Sequence, residues 1–147
     1  MAETNVEICR RAYAAFASGD MTTLESLMAP DVTWIVAGNN ALTGVYTGRQ
    51  ATFSYFGKLL EITEGTLVLT LRDIFEVAPN TLLAMCHVTA QSRGRAVDED
   101  LIQLLEVRDG QAISCRTFNE NGYLWDEMVG PSTITLPMEQ VRQAPVS

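Results

Sequence analysis

The chain is predicted to fold as α+β, three helices leading into an antiparallel meander of strands, and three observations carry that expectation. Along NVEICRRAYAAFASGD, Val6, Cys9, Tyr13 and Phe16 recur at three- and four-residue spacing. That is the single apolar stripe of a helix packed on one side. From about residue 64 the pattern changes to a two-residue alternation. Asp109-Gly110 then supplies a hairpin signal, because both residue types tolerate the positive φ of a tight turn.

The elements follow in order. Gly19 ends the first helix, and Asp20 is placed to cap a second helix through Met28. Pro30 stops that helix, and Asp31 opens the apolar run VTWIVA, which suits a mostly buried strand from Val32 to Ala37. A polar turn, GNNALTG, precedes a third helix from about Gly48 to Leu60, with Phe53, Phe56 and Leu60 on one face. Glu64 to Val77 is strand-like, Leu67, Leu69 and Leu71 alternating with Val68, Thr70 and Arg72. Pro79-Asn80 turns the chain into a strand from Leu82 to Gln91, and Arg93-Gly94 into another from Val97 to Val107. The last strand is Ala112 to Asn119, and Tyr123 to Met128 reads as a final helical turn. One domain over residues 1–129 is expected. The tail, 130–147, holds three of the five prolines and reads as an arm, on the surface or across a partner subunit.

Composition narrows the function classes. A net charge of −8, with Lys58 the only lysine and nine scattered arginines, repels a phosphate backbone and argues against nucleic acid. No apolar run approaches the ~20 residues of a membrane span. The start, MAETNVEICRR, lacks the apolar core of a signal peptide, so a cytoplasmic protein is expected. Cys9, Cys86 and Cys115 are odd in number and each lies in an apolar context, as small buried hydrophobes do. With one histidine and no Cys-x-x-Cys, no metal site is expected.

AYAAFASGDMTTLESLMAPDVTW, LTGVYTGRQATFSYF and EVRDGQ before a last strand resemble the SnoaL-like, ketosteroid-isomerase-related branch of the nuclear transport factor 2-like superfamily. The likeness runs from about Asn5 to Asp126 and is specific for the fold. It implies a cone, with the three helices packed in the concave face of a bent, mostly antiparallel sheet and a pocket between them. It is a poor guide to the reaction, since that fold hosts isomerases, cyclases, dehydratases, epoxide hydrolases and plain binders. Ketosteroid isomerases of this fold use a helix-one tyrosine, a first-strand aspartate and a fourth-strand acid; the corresponding residues here are Ala12, Val36 and Gln103. None can transfer a proton. Arg116 with Glu99 or Asp100 is a loose echo of the limonene-epoxide-hydrolase pattern, and Ile35 stands where related members carry a histidine.

Strand parity orders the candidate residues. Ala84, Cys86, Val88 and Ala90 form an apolar set that should face the helices, which sends His87 outward as an interface or partly solvated residue rather than a general base. Matching the family's strand puts Gln103 inside with Glu99, Leu101 and Leu105; a one-residue slip would exchange Glu99 for Asp98 and Asp100. On the last strand Ser114, Arg116 and Phe118 are expected to share the inner face, with Arg116 near Gln103 or Glu99. A buried guanidinium needs a partner, either a protein acid or an anionic or carbonyl ligand, and the alternative is a rim arginine reaching solvent. Tyr13 is a candidate donor to a developing oxyanion, or else a core tyrosine bonded to a backbone carbonyl. Trp34, Phe53, Phe56, Phe118 and Tyr123 are candidates for an aromatic wall.

In DLIQLLEV both alternating sets are apolar, Leu101 and Leu105 on one face and Ile102 and Leu104 on the other. An antiparallel strand with one wet face should alternate with polar residues, so a homodimer through the outer face is expected, the alternative being cover by the C-terminal tail. The leading functional expectation is a cyclase, isomerase or dehydratase acting on a carbonyl-bearing apolar metabolite. An acid among Glu99 and Asp100 would work with Arg116, Gln103 and Tyr13. No cofactor is expected, since no glycine-rich phosphate loop follows a strand. The alternatives are a non-catalytic binder of a hydrophobic molecule, an epoxide-hydrolase-like enzyme, and a dimerisation module with a vestigial pocket.

Overall fold

The structure, a computed structural model, describes residues 3–131. Helix α1 (Asn5–Ser18) starts at Thr4, whose hydroxyl accepts from the Glu7 N–H at 3.1 Å, and ends at Gly19 with φ 75°. Asp20 then caps α2 (Met21–Ser26) by accepting from the Thr23 N–H at 3.1 Å. Strand β1 (Met28–Val36) starts earlier than expected, so Met28 and Pro30 belong to the strand and not to the helix end. Pro30 is tolerated there because the pairing with β6 (Gln111–Asn119) shifts register between Met28 and Thr33, where its missing N–H removes no ladder bond.

Two further boundaries differ from the sequence expectation. Gly44–Thr47 forms a four-residue edge strand, β2, beyond the loop read as a turn. Helix α3 (Arg49–Ile62) leads into left-handed residues Glu64 and Gly65, so β3 (Val68–Ala78) starts later than Glu64. The Arg49 guanidinium donates to the Met28 carbonyl at 2.6 and 3.1 Å and ties the start of α3 to β1.

With β4 (Thr81–Ser92) and β5 (Arg95–Arg108) the sheet has six strands in the order β2-β1-β6-β5-β4-β3. Every neighbouring pair is antiparallel except β1 with β6, which is parallel. Asp109 and Gly110 take φ 52° and 76° in the β5–β6 turn, and Arg93 and Gly94 do the same between β4 and β5. The helices cover the concave face of the sheet, and α4 (Gly122–Val129) adds Trp125 and Met128 to the core. On β4 the inner set Ala84, Cys86, Val88 and Ala90 is buried as the parity reading requires, and on β5 so are Glu99, Leu101, Gln103 and Leu105.

Strand β6 breaks the expected parity. Glu106 pairs with Ser114 but Val107 pairs with Ala112, so Ile113 is an extra residue in the ladder, a β-bulge. Ala112 points inward, and counting by twos from it would send Ser114, Arg116 and Phe118 inward too. The bulge reverses the phase. Cys115, fully buried, and with it Thr117 and Asn119, take the inner face, while Arg116 and Phe118 are exposed on the outer one. The tail from residue 132 lies outside the described residues, and the expected arm with it.

Candidate active site

Between the helices and the inner face of the sheet lies a cavity of about 100 Å³. The helices contribute Ala12, Tyr13, Phe16, Tyr55, Phe56 and Leu59, the first strand Trp34 and Val36, and α4 closes one side with Trp125. Phe56 is the hub of the aromatic packing, edge-on to Phe16, Trp34 and Phe53 at 5.5, 5.1 and 5.5 Å. Such contacts hold the wall in shape independently of any ligand.

Polar groups concentrate on β5 and β6. Gln103 and Thr117 face each other across the two strands, as do Leu101 and Asn119. The Tyr13 hydroxyl donates to Gln103 Oε1, and Gln103 Nε2 donates to Thr117 Oγ1 at 3.0 Å. Hydroxyl, amide and hydroxyl thus form one row in a mostly apolar wall. Burial, with a smaller contribution from nearby Cys115, Cys86 and Cys9, pushes the Tyr13 phenol well above its ordinary value. It is a neutral donor at physiological pH and no base.

Glu99 is the buried carboxylate of the region, only 3% exposed. Its two oxygens accept from Asn119 Nδ2 at 3.0 Å and from the backbone N–H of Asn121 at 2.9 Å. Asn119 lines the cavity and Glu99 sits behind it. Glu99 therefore orients that amide and anchors the start of α4. Burial raises the thiols of Cys9 and Cys86 to about 11 and raises that of Cys115 well above its ordinary value, so all three stay protonated at neutral pH.

The fold brings together only part of the expected site. Tyr13, Gln103, Trp34 and Phe56 line the cavity; Phe53 packs behind Phe56. Arg116 and Phe118 are turned out by the bulge, and Tyr123 is 86% exposed. Asp100 lies on the outer face, where it accepts from His87 Nδ1 at 2.7 Å while Asp98 meets Nε2 at 2.6 Å. Those contacts raise the His87 pKa and lower that of Asp100. Thr117, Asn119, Tyr55 and Trp125 were not singled out in the sequence. Cys115 was the available signal: a buried cysteine at that position requires Thr117 and Asn119 to share its face. The three positions matched to the ketosteroid-isomerase acids and bases, Ala12, Val36 and Gln103, all line the cavity, and none titrates. No carboxylate, imidazole, ammonium or guanidinium is among the described lining residues.

Comparison with known proteins places this architecture. A SnoaL-like domain model matches residues 9–114. An uncharacterized protein of Mycobacterium tuberculosis is 30% identical over 109 residues, spanning 74% of this chain and 83% of its own. Bal32a, from a soil-derived mobile gene cassette, has a TM-score of 0.82 at 32% identity over 86% of this chain and 96% of its own. TerC, crystallized with polyporic acid, has a TM-score of 0.75 at 21% identity over 85% and 97%, a likeness of fold. With its six-stranded sheet, concave helices and family match over most of its length, the chain belongs to the SnoaL-like domain family.

Proposed function

We propose that the protein binds a small apolar carbonyl compound in this cavity and promotes a cyclase- or isomerase-type rearrangement, with Tyr13 as donor to the reacting oxygen. The single observation that carries this is the Tyr13–Gln103–Thr117 row set in an apolar wall. A neutral donor fixed in a dry site stabilises charge developing on an oxygen far better than the same donor in water. None of the described lining residues is a base that can take up a proton at neutral pH. The row therefore suits a substrate whose C–H is acidic enough, once its carbonyl is polarised, to lose its proton to water or to its own oxygen. At about 100 Å³ the cavity is somewhat below the ~150 Å³ that holds a benzene ring in an engineered core, so one ring is the upper limit for a first probe. TerC, with its polyporic acid, is an example of this fold holding an organic ligand.

The test is a screen of small acyclic and one-ring ketones, followed by turnover with any that bind. Tyr13→Phe should lower kcat by roughly 10²–10³ while binding changes by less than about tenfold. Unchanged turnover in that variant would overturn the assignment. A second reading, a non-catalytic binder, is favoured because no carboxylate, imidazole or ammonium is among the described lining residues; saturable binding without turnover would select it.

We also propose a homodimer through the outer face of the sheet. Two cross-strand rows there, Phe75–Leu83–Leu104 and Met85–Ile102–Phe118, expose apolar side chains side by side, with Phe75, Met85, Ile102 and Phe118 each 39–48% exposed. Contiguous apolar surface of this kind is characteristic of interaction sites. Among the described residues no helix is long and apolar enough to cross a membrane. The three free, buried cysteines suit a reducing compartment such as the cytoplasm.

A further inference from the structure

Tyr13 has one proton, and in the structure it is engaged by Gln103 Oε1. A ligand carbonyl offers only lone pairs, so in this arrangement the phenol has nothing to donate to it. Gln103 lies between two hydroxyls, Tyr13 on one side and Thr117 at 3.0 Å on the other. A hydroxyl both donates and accepts. Turning the Gln103 amide by half a rotation about its last bond therefore keeps both hydrogen bonds and reverses their direction. Nε2 then donates to Tyr13, Thr117 donates to Oε1, and the Tyr13 proton is released to the cavity. The neighbouring amide behaves differently: Asn119 Nδ2 faces the carboxylate of Glu99, which only accepts, so Asn119 has a single allowed orientation.

We infer that Gln103 is a positioning residue whose amide reverses to suit the ligand, releasing the Tyr13 proton for a carbonyl and leaving Tyr13 as an acceptor for a hydroxyl. The inference rests on the proposed carbonyl-binding role of the cavity and deepens it. One wall serves both the keto and the enol or alcohol form of a compound without moving the backbone. Both orientations satisfy every member of the row, so neither leaves a buried polar group unpaired. The other buried titratable groups on the elements packed around the row are Cys9 of α1, Tyr55 of α3, Cys86 of β4, Glu99 of β5 and Cys115 of β6. The three thiols and both phenols have values raised by burial, so they stay protonated across the pH range used below.

Acetophenone and its carbonyl-free analogue α-methylstyrene separate the possibilities. Their affinities, and the infrared carbonyl stretch of bound acetophenone, are measured for the wild type and for Tyr13→Phe and Gln103→Glu. Wild type should prefer acetophenone roughly five- to tenfold, one hydrogen bond's worth, with the stretch moved to lower frequency; Tyr13→Phe should lose both effects. The carboxylate introduced by Gln103→Glu, when ionised, accepts only, so it holds the Tyr13 proton. The preference and the shift should vanish at high pH and return on acidification, when the carboxyl can donate to Tyr13. The affinity of α-methylstyrene, measured for each variant at each pH, is the reference against which the acetophenone preference is taken. A shift that persists in Gln103→Glu at high pH overturns the reversal and leaves the cavity reading standing. Equal wild-type binding of both probes with no shift overturns the reversal and the donor role of Tyr13 together, leaving an apolar binding pocket. If neither probe binds the wild type, the cavity reading falls and the inference with it.

Discussion

The two faces of β5 make an instructive contrast. Leu101 and Leu105 face inward beneath the helices, Ile102 and Leu104 face outward, and in sequence the two pairs are indistinguishable. Inside, both polar side chains of β5 have named partners: Glu99 with Asn119 and Asn121, Gln103 with Tyr13 and Thr117. Outside, His87 lies between Asp98 and Asp100 with those carboxylates largely in solvent, next to apolar side chains that nothing in the described chain covers. The inner face is thus governed by packing and by complete hydrogen bonding. The outer face is governed by screening, pH and association.

Substitutions that respect this division should differ in size and in kind. The largest effect belongs to the inner face: Leu82, fully buried, should cost about 2–5 kcal/mol on Leu82→Ala. Its outward neighbour in Leu83→Ala should cost less than half as much, as read from denaturant midpoints. Equal losses would show that the outer face is packed as tightly as the core, within one chain or across the proposed dimer. Next comes Tyr13→Phe, with its roughly 10²–10³ loss of kcat, set against Arg116→Leu, which should leave turnover unaltered because Arg116 points away from the cavity. A collapse of turnover in the arginine variant would mean that the bulge at Ile113 is misplaced.

Association comes third. Leu104→Glu puts a carboxylate without a partner into the proposed interface and should dissociate the dimer. Sedimentation that finds a stable wild-type monomer would remove the outer face from consideration as an interface. The smallest effect concerns pH. The contacts of His87 raise its pKa in the folded protein, so the stability contributed by its imidazolium is present below the unfolded value near 6.5 and is lost as pH rises through the higher folded value. Asp100 has a lowered pKa, so its contribution is present above 3.8 and is lost as pH falls through the lower folded value. The contact is therefore effective between those two folded values. Solvent screening keeps it weak. His87→Ala should flatten the alkaline decline in thermal midpoint while leaving turnover intact; an unchanged decline would assign it to another group.

Much of this was legible from local pattern. The stripe of α1, the Gly19–Asp20 junction, the three turns between β3 and β6, and the inner sets of β4 and β5 all repeat at the period of their own element. Tyr13 and Gln103 follow from that regularity together with family likeness. Edge strand β2 escaped because four residues are too short to show an alternation. Arg116 and Phe118 were misplaced because counting by twos assumes an unbroken ladder, and one added residue at Ile113 reverses everything after it. Cys115 pointed the other way, but Phe118 is equally apolar, and composition alone does not choose between them.

By itself the sequence determined the elements, their caps and turns, and the apolar character of both sheet faces, since each depends on residues a few positions apart. Only the tertiary structure decided which face of β6 lines the cavity, that Glu99 is held behind Asn119, and that Tyr13 meets an amide flanked by a second hydroxyl. Those outcomes depend on the register between strands and on contacts spanning tens of residues, such as Tyr13 with Gln103. Register is set by which whole arrangement buries apolar surface and satisfies its polar groups together, a condition that no single segment contains.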